Sequence, residues 1–142
     1  MLTRRTLLKA AAASGALACV PTVPAATLAA VQPRLALLIG NGAYPSPHDL
    51  PPIAKNVMDL GDALAFRGFD VTQAMNLDPA SLRRTVTEFV QRVAQAGPDS
   101  VTLFYFAGHG LQLDANNLLL GSGANPASPR KEILAQSLVL QQ

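Results

Sequence analysis

The sequence predicts a three-layer α/β fold built on a mainly parallel sheet. Three observations carry that prediction. Leu35–Ile39 and Val101–Phe106 are continuous apolar runs, helical periodicity fills the stretches between strands, and turn formers stand at each junction. Unbroken apolar runs suit strands buried on both faces, the condition of parallel strands covered by helices. A β-α-β-α-β order joins such strands through crossovers.

The first strand follows Arg34 as Leu35-Ala36-Leu37-Leu38-Ile39 and is stopped by Gly40-Asn41-Gly42. Four prolines between Pro45 and Pro52 make the next segment a loop. From Ile53 to Phe66, apolar residues at 53, 54, 57, 60 and 64 fall mostly on one helical face. Gly68 closes that helix and Phe69-Asp70-Val71-Thr72 begins a second strand. Asp78 and Pro79 are suited to the N-cap and first position of the next helix. Its apolar stripe is Leu82, Val86, Phe89, Val90 and Val93, with Arg83, Arg84, Glu88 and Arg92 forming a solvated face. Gly97-Pro98 ends it, and the third strand runs into Ala107-Gly108-His109-Gly110. Leu111-Gln112-Leu113 and Asn117–Leu120 flank Asp114-Ala115-Asn116, the pattern of a hairpin. Asn125 to Pro129 reads as a loop and Arg130 to Gln142 as the approach of a further helix.

Composition narrows the function classes. The 142 residues are 49% hydrophobic and 14% charged without a long like-charge block, which argues against intrinsic disorder. One cysteine excludes a disulfide scaffold. After the N-terminus no run reaches 18 apolar residues, so no internal membrane span is expected. The net charge of +2 comes from the leader: with Arg4, Arg5 and Lys9 set aside, 8 basic residues face 9 acidic ones, a balance of −1. No basic patch with interleaved aromatics occurs, and no nucleic-acid partner is expected.

Residues 1–30 have the layout of an export signal: a basic start ending at Lys9, an Ala-rich stretch from Ala10 to Val20, then small residues suited to signal peptidase. Thr3-Arg4-Arg5-Thr6-Leu7-Leu8-Lys9 resembles a bacterial twin-arginine export motif, the alternative being a Sec signal that carries two arginines. Export to the periplasm or medium is expected, with no stable membrane span once the signal is removed. Ala16-Leu17-Ala18-Cys19 departs from a lipoprotein box, since its leucine stands two rather than three places before the cysteine. Cys19 is tied to the leader and is no candidate for a catalytic thiol. Residues 31–142 form the domain.

Ligands of parallel α/β sheets bind outside the carboxyl ends of the strands. Two glycine-flanked polar motifs sit at such ends, Gly40-Asn41-Gly42 and Gly108-His109-Gly110. A histidine titrates near neutral pH, flanking glycines open its imidazole to substrate, and the Gly110 N–H is free to meet a developing oxyanion. The competing reading is a histidine that only hydrogen-bonds a nearby loop. A dinucleotide site on Gly40-x-Gly42 is disfavoured by Pro45 at the third fingerprint position and by the Pro-rich loop that follows. Gly121-Ser122-Gly123 lacks the G-x-S-x-G elbow of a serine nucleophile. No metal-ligand spacing is present and no cofactor is expected.

Arg34–Asn41, Asp59 with Leu60 and Leu64, Gly68-Phe69-Asp70-Val71, Phe104–Gly110 and Asn117-Leu118-Leu119 together resemble the caspase/metacaspase-like cysteine peptidases. The likeness spans residues 34–142, and the segment Tyr105–Gly110 is its most specific part. It implies a caspase–haemoglobinase α/β fold and peptide-bond hydrolysis through a Cys–His dyad. By position, His109 matches the dyad histidine and Gly110 the oxyanion glycine. Asp59 matches an acidic residue lining the S1 pocket of metacaspases, which implies a polypeptide substrate with a basic P1 side chain. His48, in the Pro-rich loop, is expected to be incidental. Some metacaspases respond to calcium, but no residue here identifies such ligands.

In caspases the histidine precedes the catalytic cysteine by about 50 residues. Here 33 residues (110–142) follow His109 and none is cysteine. The expectation is therefore a partial caspase-like domain, with the His present and the Cys missing, and Ser137–Gln142 beginning the helix before the nucleophile strand. The alternative is a catalytically inactive caspase-like interaction module.

Overall fold

The structure, a computed structural model, describes residues 31–140. The export signal, the twin-arginine motif, Cys19 and the last two glutamines lie outside the described residues. Nine elements follow in chain order: β1 (Arg34–Gly40), α1 (Ile53–Phe66), β2 (Asp70–Met75), α2 (Pro79–Ala96), β3 (Val101–Ala107), β4 (Gly110–Leu113), β5 (Asn116–Leu120), α3 (Arg130–Ala135) and β6 (Ser137–Leu140).

β1 is central in a parallel sheet of order β2-β1-β3. Its position between two partners explains its unbroken apolar run: Ala36, Leu37, Leu38 and Ile39 have no exposed surface. Each of the three larger side chains contributes roughly 1.5–3 kcal/mol by leaving water. The step from β1 to β2 and the return past β1 to β3 run in opposite directions, so right-handed crossovers put the two helices on opposite faces. Leu38 packs with Ile53 and Val57 of α1, whereas Leu35, Leu37 and Ile39 pack with Leu82 and Phe89 of α2. This is the predicted three-layer arrangement.

Local signals act as expected at most junctions. The Asp78 carboxylate accepts from the N–H groups of Ala80 and Ser81, with Pro79 next to it at the first helical position. Gly68 and Gly97 end the two helices at φ of +80° and +86°. Asp114 and Ala115 both have positive φ, as a two-residue hairpin turn between β4 and β5 requires.

Three details differ from the sequence prediction. Val90 is 59% exposed, because the α2 stripe that meets the sheet is Leu82, Val86, Phe89 and Val93. Ser137–Leu140 is a strand rather than the start of a helix. It pairs antiparallel with β5 and makes the hairpin into a second sheet of order β4-β5-β6. Local periodicity had no means of registering that long-range pairing. Arg83 and Arg92, expected only to be solvated, reach other elements. Arg83 donates to the carbonyls of Ala135 and Ser137, and Arg92 bonds Thr72 and Asp70 of β2.

The two sheets share one interior. Leu119 and Leu138 pack toward α2, while Leu118 and Leu120 turn the other way, onto Tyr44, Ala124 and Ile133.

Candidate active site

The chain leaves β1 at Asn41, whose N–H donates to the Ala107 carbonyl at the end of β3 (2.8 Å). The Asn41 side chain is fully buried and fully used. Its Oδ1 accepts from Leu77 N–H (2.9 Å), and its Nδ2 donates to the carbonyls of Leu120 (3.0 Å) and Leu77 (3.3 Å). Asn76, at φ +51°, answers from the end of β2: its Oδ1 accepts from the N–H groups of Gly42 and Ala43, 3.0 Å each. These two amides join the carboxyl ends of β1 and β2 to the end of β5. Ser122 completes the seam, with its Oγ–H on the Ala43 carbonyl and its N–H on the Leu77 carbonyl. Gly121-Ser122-Gly123 is thus committed to loop structure.

His109 stands where β3 hands over to β4, and it is half-buried. Its Nε2 lies 2.6 Å from the main-chain carbonyl of His48. A carbonyl can only accept, so Nε2 carries the hydrogen and Nδ1 of the neutral ring is left as the basic nitrogen. The Tyr44 ring meets the imidazole edge-on, with centroids 4.5 Å apart at 66°. The His48 ring lies 6.1 Å away. Burial raises the Tyr44 phenol above its ordinary 10.0, against the His109 N–H bond and the nearby Asn41 amide, which lower it. The hydroxyl therefore stays protonated throughout the neutral range.

Gly110 opens β4, the outer strand of its sheet. The pair His109–Leu120 is joined by Leu120 N–H to His109 carbonyl (3.0 Å). Antiparallel ladders alternate, so the next pair, Gly110–Leu119, is a non-bonded one. The Gly110 N–H consequently points away from β5, off the sheet edge and beside the imidazole-bearing residue.

Asp59 is placed elsewhere. It lies on the solvent side of α1, 62% exposed and paired with Lys55. A carboxylate beside the strand ends is Asp49. With Gly42, Ala43, Leu50, Met75 and Asn76 it lines a cleft of about 280 Å³ outside β1 and β2. The structure thus brings His109, His48 and Tyr44 together, with Gly110 next to His109 in the chain, while Asp49 lines the neighbouring cleft outside β1 and β2 and Asp59 lies out of it. His48, expected to be incidental, contributes through its carbonyl. A main-chain carbonyl has no signature in sequence, and Tyr44 could have been noticed only as an aromatic in an otherwise polar, Pro-rich loop. Among the described residues, no group of three or more His, Cys, Asp or Glu could hold a metal ion, and no helix is long and apolar enough to cross a membrane.

No curated protein matches the chain. A family model does: the caspase domain, over residues 33–135.

Proposed function

The chain belongs to the caspase domain family, whose members act on polypeptides, and from that membership we propose that His109 is the proton-transfer group of a cysteine-type endopeptidase. The observation that carries the reading is the Nε2–H bond to the His48 carbonyl, which leaves Nδ1 as the base at the sheet rim. In the proposed reaction Nδ1 takes the proton of a thiol, and the thiolate attacks the scissile carbonyl. The oxyanion is met by the outward Gly110 N–H. The imidazolium then protonates the leaving amine, and water hydrolyses the thioester with the same imidazole as base.

The 142 residues contain one thiol, Cys19, in the leader. The proposal accordingly draws its nucleophile from polypeptide outside these residues. A catalytically inactive caspase-like interaction module is the second reading, favoured by the lack of any cysteine from residue 20 to 142. Substrate would be polypeptide with a basic P1 side chain. Asp59 is the candidate by family position, and Asp49 is the candidate favoured by its place in the cleft. The chain is proposed to be exported through residues 1–30.

The test begins with the nucleotide sequence beyond codon 142 and expression of the extended product. An extended enzyme should cleave peptides after Arg or Lys, lose that activity on His109→Ala, and lose more P1 discrimination on Asp49→Asn than on Asp59→Asn. A complete downstream sequence with no thiol would favour the interaction module instead.

A further inference from the structure

Tyr44 holds a place for which the proton-transfer scheme gives no reason. It is 7% exposed, although it lies in a loop of prolines and small polar residues. Its hydroxyl donates to the Leu120 carbonyl (3.1 Å) and accepts from the His109 N–H (3.2 Å). In an undisturbed antiparallel pair the His109 N–H would bond the Leu120 carbonyl directly, since Leu120 N–H already bonds the His109 carbonyl. The phenol oxygen is therefore inserted into the last rung of the β4–β5 ladder. It stands between the His109 N–H and the Leu120 carbonyl, leaving the other half of the rung intact, at the residue where the chain crosses from one sheet to the other. Gly108 is shaped by the same insertion: a Cβ there would stand 2.8 Å from the Tyr44 hydroxyl and 2.8 Å from Phe106. The ring that carries this hydroxyl also presses edge-on against the imidazole.

We propose that Tyr44 is a positioning residue for His109, its hydroxyl setting the backbone and its ring setting the imidazole so that Nε2–H meets the His48 carbonyl. The catalytic meaning of this role rests on the proton-transfer reading. The test does not, because it measures the imidazole rather than turnover, and an inactive His109 would leave its outcome unchanged. Packing alone cannot account for the arrangement, since phenylalanine would fill the same space between Leu118, Leu120 and Ile133.

The experiment is NMR on the full 142-residue chain and its Tyr44→Phe variant. Losing a single hydrogen bond should speed amide exchange at His109 by about fivefold or more while Ile39 is unchanged. The hydrogen-bonded Nε2–H resonance of His109 should broaden by exchange. Unchanged exchange and an unchanged resonance would overturn the proposal. So would a faster amide with an unaltered Nε2–H signal, which reduces Tyr44 to a backbone brace. If Tyr44→Phe does not fold, nuclear Overhauser contacts between the Tyr44 ring and the His109 imidazole in the unaltered chain decide. Their presence supports positioning and their absence refutes it.

Discussion

Asn41→Ala removes three hydrogen bonds at once, and the structure shows which of their partners can do without them. The Leu120 carbonyl keeps the Tyr44 hydroxyl, and the Leu77 carbonyl keeps the Ser122 N–H. Leu77 N–H loses the Asn41 Oδ1 that it donates to. One orphaned buried donor costs about 1–3 kcal/mol, and each of the two other bonds about 0.5–1.5 kcal/mol net. The loss is therefore about 2–6 kcal/mol, a large fraction of the roughly 5–15 kcal/mol that stabilises a domain of this size. Asn41→Asp separates hydrogen bonding from packing, because the shape is kept. One carboxylate oxygen can still accept from Leu77 N–H, but the other would face the carbonyls of Leu77 and Leu120, both acceptors. Only the protonated acid can donate there, so its folded pKa must lie above the unfolded value of about 3.9. A raised pKa stabilises below the unfolded value and is lost as pH rises through the folded one. Urea unfolding followed by far-UV circular dichroism should show the Asn41→Asp deficit widening from about pH 4 to neutrality. An Asn41→Ala loss under about 0.5 kcal/mol, or an Asn41→Asp deficit independent of pH, would refute the account of Asn41 as a buried clamp.

Four other outcomes follow from the same geometry and sequence. Asp78, held below its ordinary 3.8 chiefly by the Ser81 hydroxyl and then by the Ser81 N–H, has the opposite sign from Asn41→Asp. Its contribution is present above the unfolded value and lost as pH falls through the folded one, so Asp78→Ala should melt lower at neutral pH and converge with the parent in acid. Gly121→Ala would bring its methyl to 2.6 Å from the backbone nitrogen of Pro79 and should cost about 1–3 kcal/mol in denaturant titration. Gly61→Ala meets only the end of the exposed Gln73 side chain, which can swing away, and it gains helix propensity, so it should stay within about 1 kcal/mol of the parent. Replacing Arg4 and Arg5 by lysine should leave unprocessed chain in the cytoplasm if export follows the twin-arginine route, whereas unchanged processing on immunoblots of cell fractions would indicate Sec.

The elements read most clearly from sequence are those whose causes are local. The N-cap of Asp78, the turn at Asp114-Ala115 and the unbroken apolar run of β1 each state a backbone requirement within a few neighbouring residues. Ser137–Leu140 shows the limit: its strand exists because β5 offers an edge some twenty residues away in the chain, and no local period records that. Val90 departs from the apolar stripe for a related reason. An apolar stripe on a helix is wider than the contact it makes, and only the packed sheet decides which residue falls at its margin.

The site divides along the same line. Glycines around a histidine at the end of a buried strand marked His109 and Gly110 without coordinates, because strand order alone puts such residues at the sheet rim. The tautomer of His109 was decided by folding, which carried the His48 carbonyl across 61 residues of chain to within 2.6 Å of Nε2. Folding likewise made Tyr44 a wedge in the ladder, left the Asp59 carboxylate facing solvent beside Lys55, and brought Asp49 to the cleft. Residue type and local order determine what chemistry a position can offer. Which acceptor, ring or carboxylate it meets depends on contacts between distant segments, and those exist only once the crossovers have closed.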